Sequence, residues 1–327
     1  MKLSIVIIGR NEERGIAKCV EAAQAAARGV GGAEMIFVDS HSTDRTVEIV
    51  SGYGIKVVTL APGLRLSPSA GRFMGSQAAT GEYILFLDAD TLIYPDFLWH
   101  AISYIESDPQ IAGVNGQIDD QSEFGETILE LDERYDEPTD VKWLRGPACF
   151  YRREALLEVG SFDPELAMEE EAELGLRLIK NGRRLAVIPH PMACHTRCYH
   201  GVSAASILST FVRDMRAKRL GEITKTISHA ARAGNGIAFC WLRLKTTILF
   251  AVWAAMIAVC ALLPAAVYPA IIAALITAAG ALALLLKKRS LGQTILFVPA
   301  KLLNLIDILS GLHKINLTGR PIRPNVQ

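Results

Sequence analysis

Tyr83-Ile-Leu-Phe-Leu-Asp88-Ala-Asp90-Thr91 is the stretch around which the rest of this chain is organised. Its apolar run is typical of a buried parallel strand, and its carboxyl end carries two aspartates separated by one alanine. Open α/β sheets bind their ligands at that edge. Residues two apart on a strand point the same way, so we expect Asp88 and Asp90 to face one pocket. Carboxylates in such a place suit Mg²⁺ or Mn²⁺ bound to phosphate, although two solvated aspartates at a strand end are the simpler alternative.

Apolar strands alternate with helices through the first hundred residues, which predicts a mostly parallel, doubly wound α/β sheet. A helix is expected from Ser69 to Thr80, with Gly81 as its stop. The loop after the first strand lacks the glycines of a dinucleotide-binding fingerprint, and the chain has no Walker A sequence. The other expected elements are strands over 3–8, 35–38, 55–60 and 83–88, a helix that ends near Arg28 and another that begins at Thr46.

Composition narrows the class of protein further. The 327 residues carry a formal net charge of zero, which argues against a nucleic-acid partner. The six cysteines are scattered without a disulfide framework, so a reducing compartment is the simpler interpretation. The apolar run at the N-terminus is too short for a signal peptide and instead reads as the first strand. We therefore expect the N-terminal part to remain in the cytoplasm.

Three linked motifs give the chain a family resemblance. They resemble motifs of the family 2 glycosyltransferases of the GT-A fold, in the same order and with similar spacing across residues 1–202. Three motifs in register are far more specific than one Asp-x-Asp. They read Ser4-Ile-Val-Ile-Ile-Gly-Arg-Asn-Glu-Glu13, Val38-Asp-Ser-His-Ser-Thr-Asp-Arg-Thr46 and Ala79-Thr-Gly-Glu-Tyr-Ile-Leu-Phe-Leu-Asp-Ala-Asp-Thr91.

The resemblance implies roles for residues at the carboxyl edge of the sheet. It implies that Asp39 hydrogen-bonds the nucleotide base, that Asp88 lies near the ribose and that Asp90 binds a metal on the diphosphate. Arg72 matches an arginine that the family places near the nucleotide. The remaining nucleotide-sugar contacts expected from the resemblance are Ile8, Gly9, Arg10, Glu12 and Ala89.

The chain departs from the family pattern in the first of these motifs. Arg10 stands where the family has an aromatic ring over the base. A guanidinium can also stack on a base, so binding is compatible with Arg10 while the identity of the base stays open. For Asp39, the alternative to base recognition is a helix cap.

A cluster of acids at the start of a predicted helix is the candidate for the catalytic base. In the stretch Met168–Leu178, the resemblance places the base at Glu171, its paired acid at Glu170 and the last acid of the motif at Glu173. Such a base would take the proton of a sugar hydroxyl during in-line attack. The alternative is that acids gather here because the helix dipole favours negative charge in a first turn.

The acceptor side is expected between the third motif and this helix. Trp143, Arg145 and Gly146 begin a stretch that resembles the family's entry to the acceptor helix. The acidic segment 117–141 is either a solvated helix and loop or a mobile acceptor-side segment. His195 follows a predicted strand over 184–188 and is either a metal ligand, as the resemblance implies, or a satisfied loop histidine. The Gln-x-x-Arg-Trp signature of processive synthases is absent, which favours a non-processive enzyme.

The C-terminal part reads as a membrane anchor. The 41 residues from Thr246 to Leu286 have no charged side chain, about twice the ~20 needed to cross a bilayer once. Basic residues on both sides and two prolines near the middle predict a transmembrane hairpin with both ends cytoplasmic. Residues 203–245 read as amphipathic helices on an anionic lipid surface, and 287–327 as a cytoplasmic tail with an interfacial helix over 295–312.

Together these patterns predict a multi-pass protein of the cytoplasmic membrane with its catalytic domain facing the cytoplasm. The expected activity is inverting, metal-dependent transfer from a nucleotide-diphosphate sugar, most simply a UDP-sugar, to a hydroxyl of a lipid-linked or membrane-delivered glycan. One alternative is a polyprenyl-phosphate glycosyltransferase resembling dolichyl-phosphate mannose synthase, whose anionic acceptor needs no base. The other is a membrane scaffold with a sugar-nucleotide fold that no longer catalyses.

Overall fold

The computed structural model describes residues 2–122, 134–197, 222–245, 247–249, 251–252, 305–306, 308–310 and 312. The chain divides into two compact units. The first comprises Met1–Tyr199, His229–Asn235 and Thr318–Gln327, and the second comprises His200–Ser228 and Gly236–Leu317. All the predicted site residues belong to the first unit.

One mixed sheet runs through the described part of the first unit. Its strand order is β3-β2-β1-β4-β8-β6-β9-β5, and β7 pairs with β9. The first four strands in this order are parallel, whereas β8 is antiparallel to both of its neighbours. The strands are β1 (Leu3–Gly9), β2 (Glu34–Asp39), β3 (Lys56–Thr59), β4 (Tyr83–Asp88), β5 (Thr91–Ile93), β6 (Ile111–Ser122), β7 (Thr139–Val141), β8 (Ala148–Arg152) and β9 (Arg184–Arg197).

Helices follow the parallel strands as the sequence predicted. The described helices are α1 (Ile16–Arg28), α2 (Thr46–Ser51), α3 (Pro68–Ala78), α4 (Phe97–Ser107), α5 (Arg153–Glu158), α6 (Glu170–Lys180), α7 (Glu222–Arg232) and α8 (Gly236–Phe239), and a π-helical turn covers Cys240–Leu244.

Strand β1 shows why the sheet is covered on both faces. Its alternate side chains enter two separate apolar clusters: Ile5 and Ile7 pack with α1 and α4, whereas Val6 and Ile8 pack with α3 and α6. A strand buried on both sides needs an unbroken apolar run, because each face of the sheet is a core. The doubly wound arrangement of the first hundred residues is therefore confirmed.

Helix α3 is held unusually close to the sheet. It begins where the Ser67 hydroxyl accepts the amide of Ala70, with Pro68 in the first turn. A Cβ at Gly75 would lie only 2.2 Å from Val6 Cγ1, so this close approach of α3 to β1 requires glycine.

The predicted end of α3 was wrong by two residues. The helix ends at Ala78, and Gly81 is not its stop signal. A Cβ at Gly81 would lie 2.6 Å from the Ser4 backbone nitrogen, so glycine is needed here for the contact with β1.

The acidic segment after residue 116 was also predicted wrongly in part. Strand β6 continues through Ser122, and β9 continues through Arg197, because the two strands pair in parallel as far as Ser122↔Arg197. Irregular register between Asn115 and Ile118 bends the pair on the way. The expected helix or loop over 117–122 is thus a strand, 139–141 is β7, and residues 123–133 lie outside the described part.

Most of the predicted membrane segment also lies outside the described residues, which include only 247–249 and 251–252 of the span 246–286. Among the residues that are described, no helix has the length and apolar character needed to traverse a bilayer.

Candidate active site

Strands β1, β2 and β4 bring polar groups to one edge of the sheet. Gly9 at the end of β1 is registered with Asp39 at the end of β2, and Ile8 is registered with Asp88 at the end of β4. Ala89 follows closely enough that a Cβ at Gly9 would lie 2.7 Å from its Cβ. The predicted nucleotide-binding residues of these strands are therefore adjacent, and small side chains permit this approach.

Asp88 and Asp90 were predicted to lie on one strand, but the structure does not place them on the same strand. Strand β4 ends at Asp88, Ala89 and Asp90 form a turn, and β5 begins at Thr91. The two carboxylates consequently have different partners: Asp88 accepts from Arg72, and Asp90 faces His195. The contact of Asp88 with Arg72 is therefore the more buried one, and the contact of Asp90 with His195 lies nearer to solvent.

The loops after β1 and β2 are tied to each other. The Asn11 side chain accepts the amide of Thr43 at 2.7 Å, and the amide of Glu12 donates to Thr46 Oγ1 at 2.7 Å. Asp39 is buried and accepts the amide of Ser42 through its two oxygens at 3.1 and 3.2 Å, a contact within the loop that precedes α2. It is not the helix cap of the alternative interpretation, because α2 begins at Thr46 with Arg45 at its N-cap. Base recognition by Asp39 stays a prediction, and Arg10 is exposed beside this loop pair.

Glu12 lies partly buried at the same edge. Burial, followed by the charges of Asp90, Asp44 and Asp88, raises the pKa of its carboxyl to about 7. An acid surrounded by acids favours a proton or a cation nearby. This edge of the sheet is therefore an electronegative site.

Arg72 is the buried cation at the centre of the predicted catalytic acids. Its Nη1 lies 3.0 Å from an oxygen of Glu170 and 3.0 Å from one of Glu171, while Nη2 donates to Asp88 at 2.9 Å and to the carbonyl of Gly146 at 2.9 Å. The side chain is 2% exposed. Arg72 therefore joins the Asp-x-Asp motif, α6 and the acceptor-side stretch.

One guanidinium cannot neutralise three carboxylates. Burial raises the pKa of Glu171 to about 7, followed by the repulsion of Glu170, and Arg72 opposes both effects. Burial likewise raises the pKa of Glu170 and of Asp88, with Arg72 again opposing. A carboxyl with a pKa near neutrality is suited to act as a general base at physiological pH.

Helix α6 starts in a way that presents these acids. Glu169 precedes it with φ of 60°, a left-handed conformation that a non-glycine residue rarely adopts. A Cβ at Gly175 would lie 2.1 Å from the carbonyl of Lys142, so α6 packs directly on the acceptor-side stretch. Glu173, in contrast, faces Arg177 one turn later and forms three hydrogen bonds of 2.6–3.0 Å with it.

The acceptor-side residues lie on two sides of the site. Gly146 is buried next to Glu171, and Trp143 is half-buried just before the core residue Leu144. Arg145 points to the other side, where its Nη2 donates to Asp120 at 3.0 Å.

His195 joins Asp90 to Asp120. Its Nδ1 lies 2.9 Å from Asp120 Oδ1, and its Nε2 lies 3.5 Å from Asp90 Oδ2. The histidine is 11% exposed and lies within β9, not in a loop. Asp120 was not predicted as a site residue, because it belongs to a run of acids that reads as solvated. Only the pairing of β6 with β9 places Asp120 beside His195, and no local pattern in the sequence shows that pairing.

A divalent cation fits the donors present at Asp90 and His195. Two ligands bound at roughly 2.1 Å to one Mg²⁺ are at most about 4.2 Å apart, and these two donors lie within that span. Within the described ranges no group of three or more His, Cys, Asp or Glu could hold a metal. Mg²⁺ is often held by one or two protein carboxylates together with substrate phosphates, so a small set of protein donors is sufficient here.

Comparison with known proteins identifies the family. A family model described as Glycosyl transferase family group 2 matches residues 83–286, and one described as Glycosyl transferase family 2 matches residues 4–160. The poly(ribitol-phosphate) β-N-acetylglucosaminyltransferase TarS of Staphylococcus aureus is 28% identical over 201 residues, 58% of this chain and 34% of that protein. A poly(ribitol-phosphate) β-glucosyltransferase of Bacillus spizizenii is 32% identical over 142 residues, 40% of this chain and 22% of that protein. The chain thus spans about a third or less of the length of these curated relatives.

Solved structures resemble the fold. The mannosyltransferase PcManGT of Pyrobaculum calidifontis, in complex with GDP-Man and Mn²⁺, covers 96% of this chain and 88% of its own, with a TM-score of 0.61 and 17% identity. Residues 1–349 of S. aureus TarS in complex with UDP-GlcNAc cover 74% of this chain and 73% of their own, with a TM-score of 0.52 and 20% identity. Since one family model covers more than half of the chain, this protein belongs to the family 2 glycosyltransferases and has the GT-A fold.

Proposed function

We propose that this protein transfers a sugar from a nucleotide diphosphate to an acceptor hydroxyl with inversion at C1, and that Glu171 is the general base. The observation that carries the proposal is the position of Glu171 beside Arg72 and Asp88, with a pKa of about 7. A sugar hydroxyl is a poor nucleophile at neutral pH, and a positioned base typically accelerates such a step by about 10²–10⁴-fold.

The proposed step is a single displacement. The acceptor oxygen forms its bond to C1 as the bond from C1 to the diphosphate oxygen breaks, and the hydroxyl proton passes to Glu171. Arg72 holds Glu171 in place, and Glu170 competes for the same guanidinium nitrogen. In-line attack requires the base and the leaving group on opposite faces of the sugar, and a fixed base lowers the entropic cost of that geometry.

Asp90 and His195 are the residues that would hold Mg²⁺ or Mn²⁺. When bound, such an ion neutralises charge on the departing diphosphate. The protein's own contribution is a fixed donor pair at the Asp-x-Asp turn, since the amide of Thr196 donates to the carbonyl of Asp90 at 3.0 Å. The GDP-Man and Mn²⁺ in the PcManGT complex support this use of a divalent ion.

The relatives support a particular class of substrates. The two curated enzymes act by name on poly(ribitol-phosphate), and TarS has been crystallised with UDP-GlcNAc. We propose a UDP-sugar as donor and a hydroxyl of a cell-envelope polymer or its lipid-linked precursor as acceptor. Residues 246–286 would anchor the enzyme to the cytoplasmic membrane, where such acceptors are assembled.

The test is product formation with defined substrates. The purified protein is incubated with UDP-GlcNAc, UDP-glucose or GDP-mannose as donor and with polyol-phosphate polymers or lipid-linked glycans as acceptor. The masses of the products are then measured by mass spectrometry. The proposal expects one added sugar on a hydroxyl and release of a nucleoside diphosphate. Transfer to polyprenyl phosphate alone would instead support the second enzyme class, in which Glu171 is dispensable. Absence of both transfer and donor hydrolysis across the panel would favour a scaffold.

A further inference from the structure

Three neighbouring strands align the residues around His195. Asp120 on β6 and His195 on β9 are partners in the parallel register, and Thr91 on β5 is the antiparallel partner of His195. Asp90 immediately precedes Thr91. The backbone pairing of β6, β9 and β5 therefore brings Asp120, His195 and Asp90 into one row, with the histidine between two carboxylates.

The hydrogen bonds along this row determine which nitrogen of His195 carries a proton. Arg145 Nη2 donates to Asp120 Oδ2 at 3.0 Å, and His195 Nδ1 lies 2.9 Å from Asp120 Oδ1. A carboxylate paired with arginine only accepts, so Nδ1 must donate. The neutral ring then carries its lone pair on Nε2, which faces Asp90 Oδ2 across 3.5 Å. The lone pair of His195 Nε2 and the carboxylate oxygen of Asp90 thus face each other, and two such acceptors favour a cation between them.

Arg145 is itself anchored on this side of the site. Its Nη1 donates to the carbonyl of Ile118 at 3.2 Å, and its own carbonyl accepts Asn115 Nδ2 at 3.2 Å. The guanidinium is thus fixed to β6, two residues from Asp120. This anchoring explains why both oxygens of Asp120 have a defined donor.

We infer that Asp120, held by Arg145, is a positioning residue that fixes the tautomer and the orientation of His195 for a divalent cation shared with Asp90. The inference rests on the proposed metal use and adds a residue that neither the motifs nor the family match assigned. Partners of this kind orient histidine ligands, and their loss typically weakens metal binding by about 10–100-fold.

The side-chain chemistry makes Asp120→Asn an informative substitution. Both neighbours of Asp120 donate a proton, and a carboxylate has an oxygen for each. An amide has only one oxygen. If that oxygen serves Arg145, the amide NH₂ faces Nδ1 and the proton of the neutral ring moves to Nε2, where it opposes a metal. The neighbour Asp119 contacts Tyr94 and Arg134 instead, so Asp119→Asn is the matched control.

The experiment measures binding of Mn²⁺ to the full chain in the presence of UDP, by electron paramagnetic resonance or calorimetry. We expect Asp120→Asn to weaken Mn²⁺ binding by about 10–100-fold, Asp119→Asn to leave it unchanged and Asp90→Ala to abolish it. Nitrogen-15 NMR of histidine, assigned with His195→Gln, should show the Nδ1–H tautomer in the unsubstituted protein and its loss in Asp120→Asn.

Two outcomes would overturn the inference in different ways. If Asp120→Asn binds Mn²⁺ like the unsubstituted protein while Asp90→Ala does not, Asp120 has no positioning role although the metal proposal stands. If the unsubstituted protein takes up no Mn²⁺ with UDP, the metal proposal fails and the inference with it. If Asp120→Asn does not fold, the NMR measurement on the unsubstituted protein still tests the inference. An Nε2–H tautomer of His195 would contradict it.

Discussion

At the scale of single residues, the site depends on an imbalance of charge around Arg72. Asp88, Glu170 and Glu171 all contact its guanidinium, and two of them share one nitrogen. Burial and mutual repulsion therefore keep the pKa of Glu171 near 7, where a small change of environment can release or retain its proton. A lone carboxylate with its own arginine would instead be ionised at all physiological pH values and would be a weaker base.

The first prediction concerns this pKa. Glu171 must be ionised to accept a proton, so kcat/KM is expected to fall about tenfold per pH unit below about pH 7 and to level off above it. The measurement is a pH profile at low donor and saturating acceptor. Because burial also raises the pKa of Glu12 to about 7, Glu12→Gln is measured in parallel. The acidic limb should persist in that variant, and its disappearance there would assign the limb to Glu12.

The second prediction concerns Gly146. A Cβ at this position would lie 2.0 Å from Glu171 Oε1 and 2.9 Å from Arg72 Nη2, so Gly146→Ala must displace the base. We expect turnover to fall by at least about tenfold, with a loss of stability of about 1–3 kcal/mol from overpacking. Gly15→Ala is the control, since the nearest atom to its added Cβ is 4.0 Å away. Equal activity of the two variants would show that Glu171 need not occupy this position.

Several residues of the site could be predicted from the sequence and one could not. The family resemblance pointed to Glu170 and Glu171, and the structure places both of them against the guanidinium of Arg72, which also contacts Asp88. The contacts of the buried Arg72 with both acids were not predicted, and its expected place near the nucleotide stays a prediction. Asp120 was missed because its neighbours are acidic, and only the pairing of β6 with β9 distinguishes an acid that faces His195 from one that faces solvent.

At the scale of elements, the strands that were predicted well are those with local signals. Buried apolar runs define β1, β2 and β4, and a serine cap with proline defines the start of α3. The lengths of β6 and β9 depend on each other through pairs such as Ser122↔Arg197, which lie far apart in the sequence. No local pattern in either strand carries that information, which is why the acidic segment was misread.

A buried contact within the first unit joins two segments that are far apart in the sequence. His229 of α7 pairs with Asp163 through Nδ1, and the carbonyl of Asp163 accepts the hydroxyl of Ser69 on α3 at 2.6 Å. Burial by itself would raise the pKa of Asp163, but the hydrogen bond and charge of His229 outweigh it and lower the pKa. The segment around residue 229 therefore supports the helix that carries Arg72.

The third prediction tests this contact. His229→Ala leaves the Asp163 carboxylate buried without its partner and should lower the free energy of unfolding by about 3 kcal/mol. Lys180→Met removes only an exposed hydrogen bond to the carbonyl of Ala233 and should cost less than about 1 kcal/mol. Urea unfolding near pH 7 checks both.

The difference between the two variants depends on pH. The pKa of Asp163 is lowered in the folded protein, so its contribution is complete above the unfolded value of about 3.9 and is lost as the pH falls through the folded value. The effect of His229→Ala should therefore shrink in acid. An effect of equal size at pH 3 and pH 7 would mean that the substitution acts through lost packing alone.

At the scale of the whole molecule, the chain combines the GT-A unit with a C-terminal part of different composition. The catalytic unit contains the predicted site residues, whereas the uncharged run over 246–286 follows it. Sequence alone identifies this run by its length and its lack of charge. The proposed anchor would keep the active site close to a membrane-delivered acceptor.

The fourth prediction concerns the topology of that run. Single cysteines at Arg243 and Lys288, in a background without the six native cysteines, should both react with an impermeant thiol reagent from the cytoplasmic side only. Labelling of the two positions from opposite sides would leave an odd number of spans and would exclude the hairpin.

The most direct test of the central claim is the turnover of Glu171→Gln. Glutamine keeps the shape of the side chain and removes its basicity, so turnover should fall by at least about a hundredfold while the affinity for the donor stays nearly unchanged. Glu173→Gln is the matched control, because Glu173 is bound to Arg177 and should affect stability more than turnover. Near-normal turnover by Glu171→Gln would contradict the assignment of the base and would favour an acceptor, such as a polyprenyl phosphate, that is already anionic.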